Sequence, residues 1–295
     1  MSLPSVDVHQ HLWPDELIRA LERRSAPPRL RGQRLELTVE PAADVDLDRH
    51  AVERRLELLD RDGIDLAVVS PSPAMELESC PDLRDAWHAG ASELGRSSGG
   101  RLAPLSLGVR MPGFAGVCVS APALVEGLGS LPGTLEEEGG FLFVHPGVPR
   151  PSPAGAPGWW PALADYTGQM QTAYLAWLHR DAPHHRALPV VFAMLAGGAP
   201  FQLERLAARG FDLRAAMLDN VYFDASSYGR RALELCLSTF GVTQLLYGSD
   251  APVIDPRRTL SSVRAFGDTL AELVLCDNPA RVLGHRPDEG STLRT

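Results

Sequence analysis

Short apolar runs alternate with longer segments of helical periodicity along most of the chain. A representative run is Ile64–Ser70 (IDLAVVS), which is rich in β-branched residues and ends at a polar position. Strands of a parallel sheet are covered on both faces, so they form nearly continuous apolar runs instead of alternating patterns. The pattern predicts eight parallel strands, at Val6–His11, Ile64–Ser70, Leu102–Val109, Gly116–Ser120, Phe141–His145, Pro189–Leu195, Val221–Ser226 and Gln244–Asp250.

The segments between these runs have the spacing of helices. In Arg49–Asp62, the residues Val52, Leu56 and Leu59 fall on one helical face, and Gly63 follows as a terminator. Strands that alternate with helices are typical of the (β/α)8 TIM barrel, an α/β fold whose functional face lies at the carboxyl ends of its strands. Further helices are predicted at Tyr166–Leu178, Phe201–Arg209 and Ala232–Phe240.

Two segments interrupt this alternation. Residues 25–48 are rich in Pro and Arg and follow the first strand, and residues 146–161 are rich in Pro and Gly and follow the fifth. Long segments without regular structure in a compact domain are usually functional. Because both begin at the carboxyl ends of strands, we predict that they are lids, with disordered segments as the alternative. The sequence thus predicts one barrel domain over residues 1–285 with two lid insertions, and a polar tail over residues 286–295.

Composition narrows the classes of partner. The net charge of −9 argues against nucleic acid. No apolar run reaches the length of a membrane span. The N-terminal residues do not show the basic start and apolar run that predict a signal peptide. We expect a cytoplasmic protein that acts on a small molecule, with a homodimer left open. Buried thiols in a reducing compartment are predicted for the four cysteines, which are Cys80, Cys118, Cys236 and Cys276.

Metal-competent side chains end three of the predicted strands. His9 and His11 end the first strand, and residues i and i+2 of a strand share a face. Two adjacent imidazoles suit a divalent metal such as zinc, whereas the alternative is a polar turn with two solvated histidines. His145 ends the fifth strand and Asp250 ends the eighth. The repeated placement at one end of the barrel favours a metal site.

These strand ends lie in motifs that resemble a known family. The resemblance is to the amidohydrolase superfamily, in the branch that holds aminocarboxymuconate-semialdehyde decarboxylase, γ-resorcylate decarboxylase and pyrone-dicarboxylate lactonase. It extends from residue 6 to about residue 284. The matching motifs, in the family's order, are DVHQHLWP (7–14), FVHPG (143–147), FAMLAGGAPF (192–201), VYFDAS (221–226), YGSDAP (247–252) and NPARVLG (278–284).

The resemblance implies a ligand set. His9 and His11 match the paired metal ligands of the first strand, and His145 matches the fifth-strand ligand of the decarboxylases. Asp250 matches the eighth-strand carboxylate, which binds the metal and exchanges a proton with metal-bound water. The implied cofactor is a divalent metal, with zinc expected first and manganese as the alternative.

One position departs from the family. The resembled enzymes have a histidine in an A-H-x-G-G motif at the end of the sixth strand, where it acts as an acid–base group. This chain has Met194 there, in FAMLAGGAP. Methionine cannot transfer a proton, and its thioether is a poor ligand for a hard metal. We therefore expect Met194 to form an apolar wall of the substrate pocket.

Four other residues are candidates for contact with a substrate. Trp159 and Trp160 either wall the pocket or pack in a core or interface. Arg110 either pairs with a substrate carboxylate or is a solvated surface residue. Asp224, at the end of the seventh strand, either lines the site or caps the next helix.

These residues predict a metal-dependent hydrolase of a small amide, ester or lactone. A metal-bound water would be the nucleophile and Asp250 the general base. Non-oxidative decarboxylation of a small aromatic or unsaturated acid is the alternative, because it uses the same ligands. Two further hypotheses stay open: a barrel impaired by Met194 that binds a small molecule without fast catalysis, and a metal-free hydrolase in which Asp250 acts alone.

Overall fold

Eight parallel strands form a barrel in the computed structural model, which describes residues 3–284. Each strand pairs with the next barrel strand along the chain, so all eight carboxyl ends meet at one mouth. The predicted fold is confirmed. The strands are β1 (Val6–Gln10), β2 (Arg29–Arg31), β3 (Arg34–Glu36), β4 (Ala43–Asp44), β5 (Leu66–Val69), β6 (Leu102–Leu107), β7 (Gly116–Ser120), β8 (Leu142–His145), β9 (Val190–Phe192), β10 (Val221–Asp224) and β11 (Leu245–Leu246), of which β2, β3 and β4 form a separate small sheet.

The barrel closes where the end of β1 meets the loop after β11. The backbone N–H of His11 donates to the carbonyl of Ala251 (2.7 Å), and that of Asp250 donates to the carbonyl of His9 (2.8 Å). These bonds hold the two chain segments in register at the mouth. The closure of the barrel therefore fixes His9 and His11 beside Asp250.

Helices cover the outside of the barrel. None of the helices within residues 3–284 is long and apolar enough to span a membrane. The predicted helices are present with shifted bounds. The described helices are α1 (Asp15–Arg23), α2 (Val52–Asp62), α3 (Pro81–Ser97), α4 (Ala121–Glu126), α5 (Leu131–Glu138), α6 (Tyr166–Ala176), α7 (Met194–Gly198), α8 (Pro200–Ala207), α9 (Arg230–Phe240), α10 (Pro256–Arg264), α11 (Asp268–Glu272) and α12 (Asn278–Val282).

The α7 segment is a left-handed turn. Leu195 (φ 50°, ψ 34°) and Ala196 (φ 51°, ψ 41°) have left-handed backbones, as do Met194 and Gly197 on either side. The turn explains why β9 ends at Phe192, three residues before the predicted end of this strand. A continuous apolar run contains no sequence signal for such a turn. The end of strand β9 was therefore predicted too far along the chain.

The insertion over residues 25–48 is tied to two sides of the mouth. Thr38 donates to the carboxylate of Glu76 through its backbone N–H and its hydroxyl, both at 2.7 Å, and Glu76 lies in the loop after β5. The hydroxyl of Tyr166, at the start of α6, donates to Glu40 Oε1 (2.6 Å). Two strands lie between β5 and β8 around the barrel, and three lie between β5 and β9. Residues 38–40 therefore run across the mouth.

Two further expectations concern the rest of the chain. All four cysteines are free; Cys118 and Cys236 are buried as predicted, whereas Cys80 and Cys276 are partly exposed, which corrects the prediction for those two. The predicted polar tail over residues 286–295 lies outside the described residues.

Candidate metal centre

Three histidines converge at the mouth of the barrel. His9 and His11 come from the end of β1, and His145 is the last residue of β8. One ring nitrogen of each lies within 4.8 Å of those of the other two, and the Nε2 atoms of His9 and His11 are 3.2 Å apart. All three side chains are buried. The structure thus brings together the histidines that the strand ends predicted.

Hydrogen bonds fix which ring nitrogen carries the proton. In each ring, Nδ1 lies within hydrogen-bond distance of an oxygen that only accepts. Each Nδ1 therefore carries the proton and donates it. The three acceptors are Asp224 Oδ2 for His9 (2.7 Å), the carbonyl of Ser70 for His11 (3.1 Å) and the carbonyl of Pro146 for His145 (2.8 Å).

This arrangement points the Nε2 atoms towards one another, and in the neutral rings each Nε2 is a free lone pair. The Nε2 atoms of His9 and His11 are 3.2 Å apart, so either a proton or a metal cation must lie between them. Three imidazole nitrogens with a further open position form a donor set that divalent metals bind. The residues present therefore fit a divalent metal.

Asp250 adds a carboxylate to the histidines. Its Oδ1 lies 3.3 Å from His11 Nε2 and 3.8 Å from His9 Nε2. Its backbone is left-handed (φ 59°), and its side chain keeps 15% of its surface exposed. Since the nearby imidazoles are more deeply buried, Asp250 is the charged group at the centre that a molecule in the mouth can reach.

Burial and neighbouring charges shift the pKa values of these groups in different directions. Burial lowers the pKa of His9, but the carboxylates of Asp224 and Asp250 outweigh it and raise the value to about 9. Burial also lowers the pKa of His145 well below its usual value. For Asp250, burial raises the pKa, but bonding to His11 and the nearby imidazoles hold it below the usual value. A metal ligand must be a neutral imidazole, so metal binding to His9 releases a proton.

A buried polar network lies behind the histidines. The guanidinium of Arg55 is 1% exposed and donates to Gln10 Oε1 (2.7 Å) and to the carbonyls of Ala251 (3.2 Å) and His11 (3.1 Å). Gln10 Nε2 in turn donates to Asp7 Oδ2 (2.7 Å). Burial lowers the pKa of Arg55 to about 10 and raises that of Asp7 to about 6. Arg55 thus bridges the two segments that carry His11 and Asp250.

Two predicted substrate contacts lie elsewhere. Asp224 is fully buried beside His9, to which it bonds, with no surface open to the mouth, and its contact with a substrate stays a prediction. The guanidinium of Arg110 donates to the carbonyls of Met111 and Phe114 and lies beside Gly140. Those residues precede β7 and β8, at the amino ends of the strands. The structure therefore does not bring Arg110 to the metal centre.

The remaining predicted contacts lie on loops at the mouth. Trp159 and Trp160 stack on each other with ring centroids 6.1 Å apart, and Trp159 is 57% exposed. Met194 follows β9 and is partly buried against the core. Contact of these three side chains with a substrate stays a prediction.

Sequence reasoning missed two features of the site. Arg55 is one, although it falls on the buried face of α2 at helical spacing from Val52 and Leu59, which was a usable signal. The other is the Tyr166–Glu40 hydrogen bond, which joins segments 126 residues apart. No local pattern predicts such a pairing.

The barrel and its mouth define the class of this protein before any comparison. Eight parallel strands that gather three histidines and a carboxylate at their carboxyl ends are typical of a barrel enzyme with a divalent metal. The family follows from the comparisons. Residues 139–285, about half of the chain, match the model of the amidohydrolase family, and the chain belongs to that family of enzymes. No curated protein sequence matches the chain significantly.

Solved structures of similar fold extend over almost the whole chain. The IDCase of Metarhizium anisopliae, in its apo form, is 18% identical, with a TM-score of 0.78 over 96% of this chain and 97% of its own. A 5-carboxyvanillate decarboxylase from Novosphingobium aromaticivorans, bound to manganese and 3-methoxy-4-hydroxy-5-nitrobenzoic acid, is 15% identical, with a TM-score of 0.70 over 96% and 97%. The 2,6-dihydroxybenzoate decarboxylase from Rhizobium is 14% identical, with a TM-score of 0.62 over 96% and 99%. At these identities the likeness establishes a shared fold.

Proposed function

We propose that this protein is a metal-dependent, non-oxidative decarboxylase of a small aromatic or unsaturated carboxylic acid. The observation that carries the proposal is the convergence of His9, His11 and His145 with Asp250 at the mouth of the barrel. Two of the similar solved structures are decarboxylases of aromatic acids, which favours this reaction over the hydrolysis predicted first. The three histidines and Asp250 are the proposed metal ligands.

A divalent metal held by these residues would bind oxygen atoms of an acidic substrate and withdraw electron density from it. Manganese is bound in the similar 5-carboxyvanillate decarboxylase, and zinc suits the imidazole-rich donor set equally well. The buried imidazoles exclude water from one side of the centre. Substrate therefore enters from the side on which Asp250 is exposed.

Asp250 is the proposed proton-transfer group. Because its pKa lies below the usual value, Asp250 is a carboxylate at rest, and it would take up a proton from water and pass it to the substrate carbon that bears the carboxylate. The bond from that carbon to the carboxylate then breaks, carbon dioxide leaves, and the electron pair of the bond returns to the conjugated system. Such a positioned acid typically contributes about 10²–10⁴-fold in rate.

Hydrolysis of an amide, ester or lactone is the second candidate, and Met194 is the observation that favours it. A thioether at the end of β9 supplies no second proton. Hydrolysis of a substrate with a good leaving group needs none, whereas protonation of carbon then depends on Asp250 alone. In both reactions Asp250 is the acid–base group.

A substrate panel distinguishes the two reactions. Protein loaded with Mn²⁺ or Zn²⁺ would be incubated in D2O with aromatic acids, unsaturated acids, lactones and amides. We expect release of carbon dioxide from an acid, with deuterium on the carbon that lost it. Activity should disappear with chelator and return with metal. Hydrolysis of a lactone or amide, with no release of carbon dioxide from any acid, would overturn the proposal.

A further inference from the structure

The three histidines differ in what their Nδ1–H groups contact. Two of them donate to neutral peptide carbonyls, whereas His9 donates to the carboxylate of Asp224 at 2.7 Å. Asp224 is 0% exposed and His9 is 1% exposed, so no solvent screens this contact. We propose that Asp224 is a positioning residue that holds His9 in the Nδ1–H tautomer and raises its strength as a metal ligand.

The surrounding backbone is shaped to bring this pair together. A methyl group at Gly248 would lie 2.3 Å from Asp224 Oδ1 and 2.8 Å from His9 Cβ, well inside any real contact. Only glycine therefore lets the two side chains approach behind the loop that carries Asp250. The hydroxyl of Ser226 lies 3.2 Å from His9 Nδ1 and offers a second, weaker partner.

Charge balance supports the same role. Asp224 and Asp250 place two carboxylates beside three imidazoles that must be neutral to bind a metal, and two carboxylates match the charge of one divalent cation. Asp7 is a further buried carboxylate, but it connects through Gln10 to the buried guanidinium of Arg55. The carboxylate of Asp224 therefore belongs to the metal centre and not to the network behind it.

The two oxygens of Asp224 have different partners, and this gives an unusual prediction for Asp224→Asn. Oδ1 accepts from the backbone N–H of Ser226, and Oδ2 accepts from His9. In the variant, the single amide oxygen of Asn still accepts from the backbone N–H of Ser226. The amide NH2 group then faces His9 Nδ1. That nitrogen must then accept, and the proton moves to Nε2, where it blocks the metal. Asp224→Ala loses the carboxylate without forcing this tautomer.

The experiment measures Mn²⁺ binding to metal-free protein by calorimetry, without any substrate. We expect Asp224→Ala to weaken binding about 10-fold and Asp224→Asn to weaken it about 100-fold. The exposed Asp219 provides a matched control, because Asp219→Asn also removes one charge and should leave binding unchanged. Binding by Asp224→Asn within threefold of wild type, or stronger than by Asp224→Ala, would overturn the inference.

A measurement on the unaltered chain covers the case in which Asp224→Asn does not fold. In ¹⁵N-labelled, Zn²⁺-loaded wild-type protein, the imidazole spectrum should show a proton on Nδ1 of His9 with a strongly downfield shift. A His9 ring without a proton on Nδ1 would overturn the inference. The inference rests on the metal centre in the proposed function. Because both experiments omit substrate, their failure is distinct from a failure to find decarboxylation.

Discussion

Replacement of Arg55 by Met tests how the two sides of the mouth are held together. The guanidinium donates four hydrogen bonds, to Gln10 Oε1 and to the carbonyls of Arg49, His11 and Ala251. Each buried acceptor that loses its donor costs about 1–3 kcal/mol. Removal of the buried charge offsets part of this cost, because its desolvation penalty of roughly several kcal/mol disappears. We therefore expect Arg55→Met to lower the free energy of unfolding by about 3 kcal/mol.

Thermal unfolding in the presence of chelator measures this loss without a contribution from bound metal. A loss of this size lowers Tm by about 6–10 °C in a domain of this class. Arg54→Met is a matched control on the preceding residue of α2, since the Arg54 side chain is 59% exposed and, within residues 3–284, forms an ion pair only with Glu57 (2.8 Å). It should change stability by less than about 0.5 kcal/mol. Equal stability of the two variants would refute the bridging role of Arg55.

Three further predictions concern the histidines and the β9 end. His9→Ala should abolish bound metal and activity together in elemental analysis and turnover, and full metal occupancy in this variant would contradict its role as ligand. Burial lowers the pKa of His50 to about 3, from 6.5 in the unfolded chain. The unfolded state therefore binds the proton first, so stability should be complete above pH 6.5 and fall between pH 6.5 and 3. His50→Gln should reduce that slope in chemical denaturation, and an unchanged slope would exclude His50 as its source. Met194→His, at equal metal occupancy, should raise turnover of acids by about 10²-fold; unchanged turnover would mean that the side chain points away from the centre.

The barrel was predictable because its strands are buried on both faces. Apolar runs such as Gly116–Ser120 specify a strand of the same bounds in the structure. Boundaries failed where the backbone turns left-handed, as at Met194 and at Asp250, which lies four residues beyond the end of β11. Hydrophobic periodicity reports burial and not the sign of φ. The small sheet that includes Arg29–Arg31 was missed because its strands are short and mostly polar.

The convergence of the candidate ligands was predictable from strand register, but the hydrogen bonds that support them were not. His9 and His11 share a face because they are two residues apart on a strand. The pairing of His9 with Asp224 spans 215 residues, and nothing local to Asp224 distinguishes a partner of histidine from a helix cap. Contacts of this kind depend on the packing of β1 against the end of β10 and β11. Such contacts can be recognised only in the folded structure, in which the barrel is closed.

Different parts of the structure hold the candidate metal ligands and Met194. A substitution at Met194 can therefore occur without moving the ligands. The five consecutive residues with positive φ, Met194 to Gly198, cost about 1–2 kcal/mol for each one that is not glycine, and helix α6 holds this turn in place. A methyl group at Gly197 would lie 2.3 Å from the carbonyl of Thr167, and Gln171 donates to the Gly197 carbonyl (2.7 Å). The histidines, by contrast, are fixed by β1, β8 and Asp224. A change of residue at Met194 therefore leaves the three histidines undisturbed, and in the proposed function the proton chemistry then depends on Asp250.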